Sequence, residues 1–382
     1  MTEITEQQKE EMIALRRWFH AHPEICFEEH ETAAKIREEL DKLDIPWQSV
    51  GTGTVAVIEG KKEGAVIGLR ADIDALRITE KNEVSYRSQN EGAMHACGHD
   101  AHTAALLGAA RILKEQQDQL EGTVKLIFQP AEEIGRGAQT IVDSGLIDDV
   151  NFFFGIHVRS LEEVGLMEIS KGAVMGGANS LKIFLQGKSA HGGRPHLGID
   201  TITCGAQIVQ GLQNVVSREI SAHESAVISV GMFHGGTAEN IVAGETTIKG
   251  TIRVLSDTVR EQIADAAVRL VKGIAAANRV SVKVESEFET PILKNSELLY
   301  DTVKQAGIQV AGAEKIIPAQ PDLGTEDFSA YSQIAPSFFV FVGAGGSYPH
   351  HHERFDLDEN VLPIAAAMHV AFVSQCSKIK AS

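Results

Sequence analysis

Apolar and polar positions follow two different periods along this chain. Between residues 33 and 43 the apolar residues recur at steps of three and four, which predicts an amphipathic helix. Short apolar runs predict buried strands at 54–58, 65–69, 123–129, 151–156 and 337–342. Further helices are predicted at 102–114, at 137–144 and from near Glu359 onward. Strands that alternate with helices predict an α/β fold with a mixed, largely parallel sheet flanked by helices.

The order of elements changes in the middle of the chain. Strands are predicted there at 180–186, 226–234, 246–255 and 280–287, with helices at 199–218 and 257–278. This β-α-β-β-α-β order is that of a ferredoxin-like module. We therefore predict a discontinuous α/β domain formed by residues 1–178 and 292–382, interrupted by an inserted α+β domain at 179–291.

The charge of the chain argues against nucleic acid as a partner. Its 382 residues include 35 Lys and Arg against 52 Asp and Glu, which gives a formal net charge of −17. An acidic surface repels phosphate backbones, and no stretch dense in basic residues offsets that repulsion.

Targeting and membrane signals are also missing from the sequence pattern. The N-terminal residues are polar and acidic, which is unlike a secretory signal. The longest mostly apolar stretch, residues 361–373, is shorter than the ~20 residues of a membrane span. The four cysteines are scattered without paired spacing, so we expect a soluble cytoplasmic protein with free thiols and no membrane partner.

Residue types that bind metal ions gather in four segments. These are "MHACGHDAH" (94–102), "QPAEE" (129–133), "GIHV" (155–158) and "HHHE" (350–353). Thiolate, imidazole and carboxylate together suit zinc, manganese, cobalt or nickel.

The placement of these segments matters more than their composition. Glu132 and Glu133 follow the strand predicted to end at 129, and His157 directly follows the strand predicted to end at 156. The histidine run comes after a Gly-rich turn beyond the strand at 337–342. The carboxyl ends of parallel strands meet at one edge of a sheet, so the sequence predicts one metal site there.

Other catalytic motifs fit poorly. The sequence has no His-Glu-x-x-His, no Gly-x-Ser-x-Gly and no complete phosphate or dinucleotide loop. A thiol hydrolase using Cys97 and His99 is a rival hypothesis. Residues two apart in a loop do not easily keep a nucleophile and its base in hydrogen-bonding geometry, and this hypothesis gives the other three segments no role.

The motifs, taken in order, resemble the aminoacylase/carboxypeptidase-type family of dinuclear metallohydrolases. The closest branch contains hippurate hydrolases, auxin-conjugate amidohydrolases and bacterial N-acyl-amino-acid deacylases. The resemblance spans nearly the whole chain, through "RRWFHAHPEICFEE", "LRADIDAL", "MHACGHDAHT", "FQPAEE", "GIH", "GKSAHGGRPH", "GGTAENIV", "GTEDF" and "HHERFDLDE". "MHACGHDAH" followed by "FQPAEE" about thirty residues later is the most specific part.

The resemblance implies a role for each matching residue of the metal centre. It implies two divalent ions per subunit (Mn, Zn, Co or Ni) and a catalytic domain formed by residues 1–178 and 292–382. Cys97 would bridge the ions, and the ligand set would be completed by His99, Glu133, His157 and His351. Glu132 would act as general base, and Asp74 would orient a ligand.

The resemblance also implies roles for the insert and for the substrate pocket. The insert, 179–291, would be a lid and dimerisation domain, so we expect a homodimer. His191 would cross the dimer interface to polarise the scissile carbonyl. Asn240 would join the substrate pocket, Arg253 is either a clamp for a substrate carboxylate or an exposed strand residue, and Glu326 either lines the pocket or caps a helix.

The predicted function is a metal-dependent amidohydrolase acting on N-acyl amino acids or related small amide conjugates. A metallo-dipeptidase or carboxypeptidase is the same-class alternative, and a non-catalytic binding protein that retains the fold is the alternative of another class. Arg77, Thr201, Ala243 and Glu353 stand where the family usually has proline. These changes spare every predicted ligand and the base, but they bear on the shape of the substrate pocket.

Overall fold

The computed structural model describes residues 4–376 and residue 379. They form two compact units, of which the second consists of Ala173–Leu293 and Pro321–Glu326 and the first of the other described residues. The sequence placed 321–326 within the domain that ends at 382. In the structure this segment packs on the second unit, because Gly176 N–H donates to Gly324 O at 2.8 Å.

The helices cover both units. They are α1 (Glu6–Ala21), α2 (His30–Lys42), α3 (His99–Glu115), α4 (Gly137–Asp143), α5 (Thr201–Asn214), α6 (Asp257–Ala277), α7 (Glu297–Ala311) and α8 (Val361–Cys376). The helix α1 was not predicted from the sequence. It begins with a capping box, in which Thr5 Oγ1 accepts the N–H of Gln8 and the Gln8 side chain accepts the N–H of Thr5.

The strands of the first half of the chain are β1 (Trp47–Val50), β2 (Gly53–Glu59), β3 (Lys62–Asp72), β4 (Glu121–Gln129), β5 (Phe152–Arg159), β6 (Met167–Glu168), β7 (Gly172–Met175) and β8 (Gly177–Gln186). Those of the second half are β9 (Ala190–His191), β10 (Ala226–Gly235), β11 (Ile241–Val242), β12 (Glu245–Val254), β13 (Ser281–Thr290), β14 (Leu293–Asn295), β15 (Ile316–Ile317) and β16 (Ser337–Gly343).

An eight-stranded mixed sheet forms the centre of the first unit. Its order is β1-β2-β4-β3-β5-β16-β6-β15, and the pairs β4–β3, β3–β5 and β5–β16 are parallel. Apart from the exposed start of β3 at residues 62–64, these four central strands are almost entirely buried, which explains why they read as apolar runs rather than as alternating patterns. The predicted α/β class with a mixed, largely parallel sheet is confirmed. All four strands end at the same edge, and the candidate site lies there.

One predicted strand end is wrong. The sequence placed His157 directly after a strand ending at 156, whereas β5 continues to Arg159. The reason is its partner strand, since β16 pairs in parallel with β5 through His157↔Phe341 to Arg159↔Gly343. His157 is therefore a strand residue near the carboxyl end, rather than a loop residue beyond it.

The second unit contains a four-stranded antiparallel sheet in the order β10-β12-β8-β13. The elements β8, α5, β10, β12, α6 and β13 follow one another in the β-α-β-β-α-β order that the sequence predicted. The apolar faces of α5 and α6 contribute Ile208, Leu212, Ile263 and Val271 to a core shared with the sheet. A short antiparallel pair, β9 with β11, is added to this module.

Every helix within residues 4–376 and 379 is too short or too polar to cross a lipid bilayer.

Candidate metal centre

Cys97 and His99 lie on either side of a glycine at the start of α3. Gly98 has a φ of +92°, and a Cβ there would lie 2.4 Å from Val158 Cγ2. Both the left-handed backbone and the close approach require glycine. Because α3 begins at His99, the thiol of Cys97 and the imidazole of His99 are presented together at the buried N-terminal end of the helix.

Asp74 follows β3 and connects three parts of the site. Its Oδ1 accepts the backbone N–H of Glu132 at 3.0 Å, and its Oδ2 accepts that of Glu133 at 3.1 Å. The Asp74 carbonyl oxygen lies 2.9 Å from His99 Nδ1, which donates to it and leaves Nε2 for a ligand. Burial alone would raise the pKa of Asp74, but its interactions with His99 and the Glu133 N–H lower that pKa overall.

Glu132 and Glu133 occupy a 3₁₀ turn, Glu132–Ile134, directly after β4. The preceding residue, Ala131, has a φ of +51°, which is uncommon for a residue with a side chain. Its N–H donates to Glu29 Oε1 at 2.9 Å. The buried carboxylates of Glu29 and Asp74 therefore fix this strained turn from two sides. The side chains of Glu132 and Glu133 are half-buried.

His157 faces Cys97 across the sheet edge. Its Nδ1 donates to Val158 O at 2.7 Å, and its Nε2 lies 3.5 Å from Cys97 Sγ. The hydrogen bond of Nδ1 fixes the tautomer, so Nε2 carries the lone pair that a metal ion needs.

The three consecutive histidines have different surroundings. His351 has a φ of +62°, its N–H donates to Ala96 O at 2.7 Å, and its Nε2 lies 3.4 Å from Glu133 Oε1. His350 packs its ring against His157 at 5.1 Å, and burial lowers its pKa to about 4. His352 stacks on Tyr348 at 4.5 Å. Of the three, His351 is the one that joins the other donors, which is the histidine predicted from the sequence.

Atoms that could hold a metal ion cluster in overlapping groups. The thiol of Cys97 lies within 4.8 Å of donor atoms in two of them, one with His99 and His157 and one with Glu133 and His351. Among the described residues, His99 Nε2 and Glu133 Oε1 are buried and have no hydrogen-bond partner. Buried polar atoms are normally paired, so a cation between them accounts for their arrangement.

The electrostatics of the centre also suit cations. Burial disfavours the protonated form of His99, but the charge of Asp72 and the contact with Asp74 outweigh it and raise the pKa of His99 well above its ordinary value. The same negative charges would stabilise a divalent ion in place of a proton. Burial, and then the charge of Glu133, raise the pKa of the Cys97 thiol well above its ordinary value. Without an ion, this disfavours the rival thiol hydrolase, which needs a readily formed thiolate. A divalent ion would itself favour the thiolate of a coordinating cysteine.

The remaining predicted residues lie in the second unit. His191 is exposed on β9, which pairs with β11 through His191↔Ile241, and Gly192 N–H donates to the carbonyl of Asn240 at 2.8 Å. His191 and exposed Asn240 are therefore neighbours. Arg253 lies on β12 and its Nη1 donates to Leu323 O at 3.3 Å. Glu326 is buried and directly precedes the 3₁₀ helix Asp327–Gln333.

A buried network behind the centre was not predicted from the sequence. Arg16 on α1 donates through Nε to Asp100 Oδ2 at 2.8 Å, and His20 Nδ1 lies 2.7 Å from the same oxygen. Arg16 also donates to Asp356 Oδ1 at 2.8 Å. The network thus anchors both the helix turn that carries His99 and the segment after His351. Its signals in the sequence are the motif "RRWFHAHPEICFEE" and the spacing of Arg16 and His20, four residues apart on one face of a helix.

Comparisons with known proteins agree with this geometry. The sequence profile described as peptidase family M20/M25/M40 matches residues 68–375. An N-acetylcysteine deacetylase of Bacillus subtilis is 36% identical over 360 residues, which cover 93% of this chain and 94% of the relative. A thermostable carboxypeptidase of Saccharolobus solfataricus is 36% identical over 369 residues, which cover 94% of this chain and 93% of the relative.

A solved structure shows the same architecture. The crystal structure of a dinuclear metal-binding peptidase from Bacillus subtilis superposes with a TM-score of 0.88 at 33% identity. The match covers 97% of this chain and 98% of that one. The thiol of Cys97 belongs to two groups of possible metal ligands in this chain. Together with the likeness to the dinuclear peptidase, this supports a centre for two divalent ions.

Proposed function

Because the chain belongs to peptidase family M20/M25/M40, we propose that it is a metal-dependent amidohydrolase cleaving the amide bond of N-acyl amino acids or related small conjugates. The main support is the donor set at the sheet edge, with Glu132 beside it. The proposed ligands are Cys97, His99, Glu133, His157 and His351. Cys97 would bridge the two ions, since its thiol belongs to two donor groups.

The ions would supply Lewis acidity for the amide carbonyl and would lower the pKa of water at the centre. Glu132 would take the proton from the attacking water and give it to the leaving amine. The backbone N–H of Glu132 donates to Asp74, which fixes the turn that carries the proposed base at the edge of the sheet. Asp74 would act on the chemistry only through Glu132, Glu133 and His99.

His191 would donate a hydrogen bond to the scissile carbonyl as its oxygen gains negative charge. Its Nδ1 accepts the N–H of Gly193 at 3.0 Å, so the neutral ring carries its proton on Nε2. His191 and its neighbour Asn240 are both exposed, which supports a role in which their side chains contact a substrate.

The substrate class follows from chemistry that two relatives share. In N-acetylcysteine the amide nitrogen belongs to an amino acid with a free carboxylate. A carboxypeptidase cleaves the amide bond of the C-terminal residue, whose carboxylate is also free. Both substrates thus have a free carboxylate next to the cleaved amide. We propose that Arg253 clamps this carboxylate and that Glu326 shapes the pocket near it. The planar guanidinium suits two-point binding of a carboxylate.

A homodimer is part of the proposal. The strand β10 is an edge of the second unit's sheet and exposes Val227, Met232 and Phe233. An exposed apolar edge strand presents unpaired N–H and C=O groups to which a strand of a second chain can add. We also propose a cytoplasmic location with manganese, zinc, cobalt or nickel as the metal, since the described cysteines, which are all four of the chain, are free thiols.

A substrate screen with defined metals tests the proposal. Purified protein loaded separately with Mn²⁺, Zn²⁺, Co²⁺ or Ni²⁺ is assayed for amine release from N-acetyl and N-benzoyl amino acids and from dipeptides. Faster turnover of N-acyl amino acids supports the proposed function, and faster turnover of dipeptides supports the alternative that the carboxypeptidase relative favours. No turnover of either class with any metal would support a non-catalytic protein that keeps the fold.

Two inhibitors separate the metal mechanism from the thiol mechanism. A chelator should abolish turnover, and the divalent ion should restore it. A thiol hydrolase would instead be supported by two results together: the chelator leaves turnover unchanged, and an alkylating reagent abolishes the turnover of the metal-free protein.

A further inference from the structure

A buried hydrogen-bond chain runs from Asp72 through His102 to the peptide of Val158. His102 Nδ1 lies 2.6 Å from Asp72 Oδ1, and Val158 N–H donates to His102 Nε2 at 3.0 Å. Asp72 and His102 are buried, and neither belongs to the proposed ligand set. The ring of His102 packs edge-on against the ring of His157, with centroids 4.7 Å apart.

The direction of these hydrogen bonds fixes the state of His102. A backbone N–H can only donate, so His102 Nε2 accepts and the ring proton is on Nδ1, where it is donated to Asp72. Both ring nitrogens are therefore engaged. Donor atoms of Asp72, His99 and His102 lie within 4.8 Å of one another, yet His102 has no lone pair left for an ion.

His102 supplies a hydrogen bond where the sheet pairing stops. The strands β3 and β5 pair from Ile67↔Phe152 to Arg70↔Gly155, three residues short of Val158. On its other side β5 continues to pair with β16 through Val158↔Val342. The imidazole thus takes the place of the strand that has diverged, and it holds the carboxyl end of β5 at the point where the site opens.

Asp72 is itself fixed. Arg70 Nη1 donates to Asp72 Oδ2 at 2.6 Å, and Arg70 Nε donates to Gln129 Oε1 at 2.9 Å. Arg70 Nη2 also donates to Asp327 Oδ1 at 3.1 Å. The chain from Arg70 to Val158 therefore joins the ends of β3, β4 and β5 with buried, charge-assisted hydrogen bonds.

We infer that His102, oriented by Asp72, is a positioning residue for the metal ligand His157: by holding the Val158 N–H, it keeps His157 Nε2 beside Cys97 Sγ. This inference rests on the proposed function, because it assumes that His157 and Cys97 bind an ion. It assigns Asp72 and His102 an indirect role: neither would contact the ion or the substrate, but both would affect the affinity of the centre for metal.

A matched pair of variants tests this role. In His102→Gln the amide oxygen reaches the place of Nε2 and accepts the Val158 N–H. In His102→Asn the shorter side chain can bond to Asp72 but falls short of Val158. The readouts are the affinity for Co²⁺, measured by competition with a chelator, and the thiolate-to-cobalt absorption band that reports Cys97. The control is His369→Gln, which changes a buried histidine of α8 whose ring packs on Phe154.

We expect His102→Asn to lower Co²⁺ affinity by about 10–100-fold and to weaken the thiolate band, as loss of an outer-shell partner does. His102→Gln and His369→Gln should stay close to wild type. Equal affinities for the Asn and Gln variants would overturn the inference. If the Asn variant does not fold, the Gln variant decides alone, because a tenfold loss in it contradicts the role.

Measurements on the wild-type protein distinguish a failure of this inference from a failure of the proposed function. Normal Co²⁺ binding and turnover in wild type, with no effect of His102→Asn, contradicts only the role of His102. A wild type that binds no Co²⁺ and hydrolyses no amide contradicts the proposed function and the inference together.

Discussion

The carboxylate of Asp74 accepts the backbone N–H of Glu132 at 3.0 Å, which ties the proposed general base to the end of β3. The second oxygen of Asp74 does the same for Glu133 at 3.1 Å. One side chain thus determines the place of a proposed base and of a proposed ligand. It also explains why an ionised carboxylate is buried there, since its hydrogen bonds offset the cost of burial.

Asp74→Asn should impair the centre without unfolding the protein. An amide offers only one acceptor oxygen, so one of the two backbone N–H groups loses its partner and the turn shifts. We expect kcat to fall by about 10–100-fold, with a parallel loss of metal affinity. Steady-state kinetics at saturating metal and a metal titration check this, with Asp118→Asn at an exposed position as control. Wild-type kinetics in Asp74→Asn would show that the two hydrogen bonds are dispensable.

Glu132→Gln and Glu133→Gln should separate chemistry from metal binding. The first removes the proposed base and should lower kcat by about 10²–10⁴-fold while the metal content stays unchanged. The second removes a proposed ligand and should lower the metal content itself. Amine release and elemental analysis of both purified variants measure the difference. Full activity in metal-loaded Glu132→Gln would contradict the proposed mechanism.

Much of the fold could be predicted because the central strands are buried on both faces. Such strands appear in the sequence as unbroken apolar runs, and the turns after them are marked by Pro130 and by the Gly-rich segment from Gly343. The end of β5 could not be predicted, because His157 and Arg159 are polar. They remain in the strand only through pairing with β16, which is a contact between distant parts of the chain.

The candidate site was predictable to the extent that its residues stand in motifs. Cys97, Glu133 and His157 could be named from their segments, and the structure brings their side chains to one edge. Asp72 and His102 were not identified as a pair, because a buried carboxylate and imidazole thirty residues apart have no joint pattern in a sequence. Their role depends on where β3 and β5 diverge.

Gly98→Ala should destabilise the protein more than the same change at a matched glycine. A left-handed backbone costs an L-residue about 1–2 kcal/mol. At Gly98 the new Cβ would also lie 2.4 Å from Val158, and overpacking adds about 1–3 kcal/mol. Gly92→Ala is the control, because its φ is +81° with nothing within 4 Å of the new Cβ. Free energies of unfolding in urea measure both variants, and equal losses would contradict the predicted clash.

The buried histidine of α8 should make stability depend on pH in a defined window. Burial lowers the pKa of His369 to about 3, against about 6.5 in the unfolded chain. As the pH is lowered, His369 is therefore protonated in the unfolded state before it is protonated in the folded state. Its contribution to stability is fully present above pH 6.5 and is lost as the pH is lowered towards 3.

The expected slope from this single group is about 1.4 kcal/mol per pH unit. Urea unfolding of wild type and His369→Leu between pH 6 and pH 4 measures it, because titration of other groups cancels in the difference. The wild type should lose stability more steeply than the variant. Parallel curves would show that His369 is not buried in its neutral form.

Metal stoichiometry decides whether the donor atoms around Cys97 bind two ions. The purified protein is dialysed against each of Mn²⁺, Zn²⁺, Co²⁺ and Ni²⁺, and bound metal is measured by elemental analysis alongside Cys97→Ser. We expect two equivalents per chain for at least one ion in the wild type and fewer in the variant, which lacks the proposed bridging thiol. Absence of stoichiometric binding of all four ions to the folded wild-type protein would contradict it.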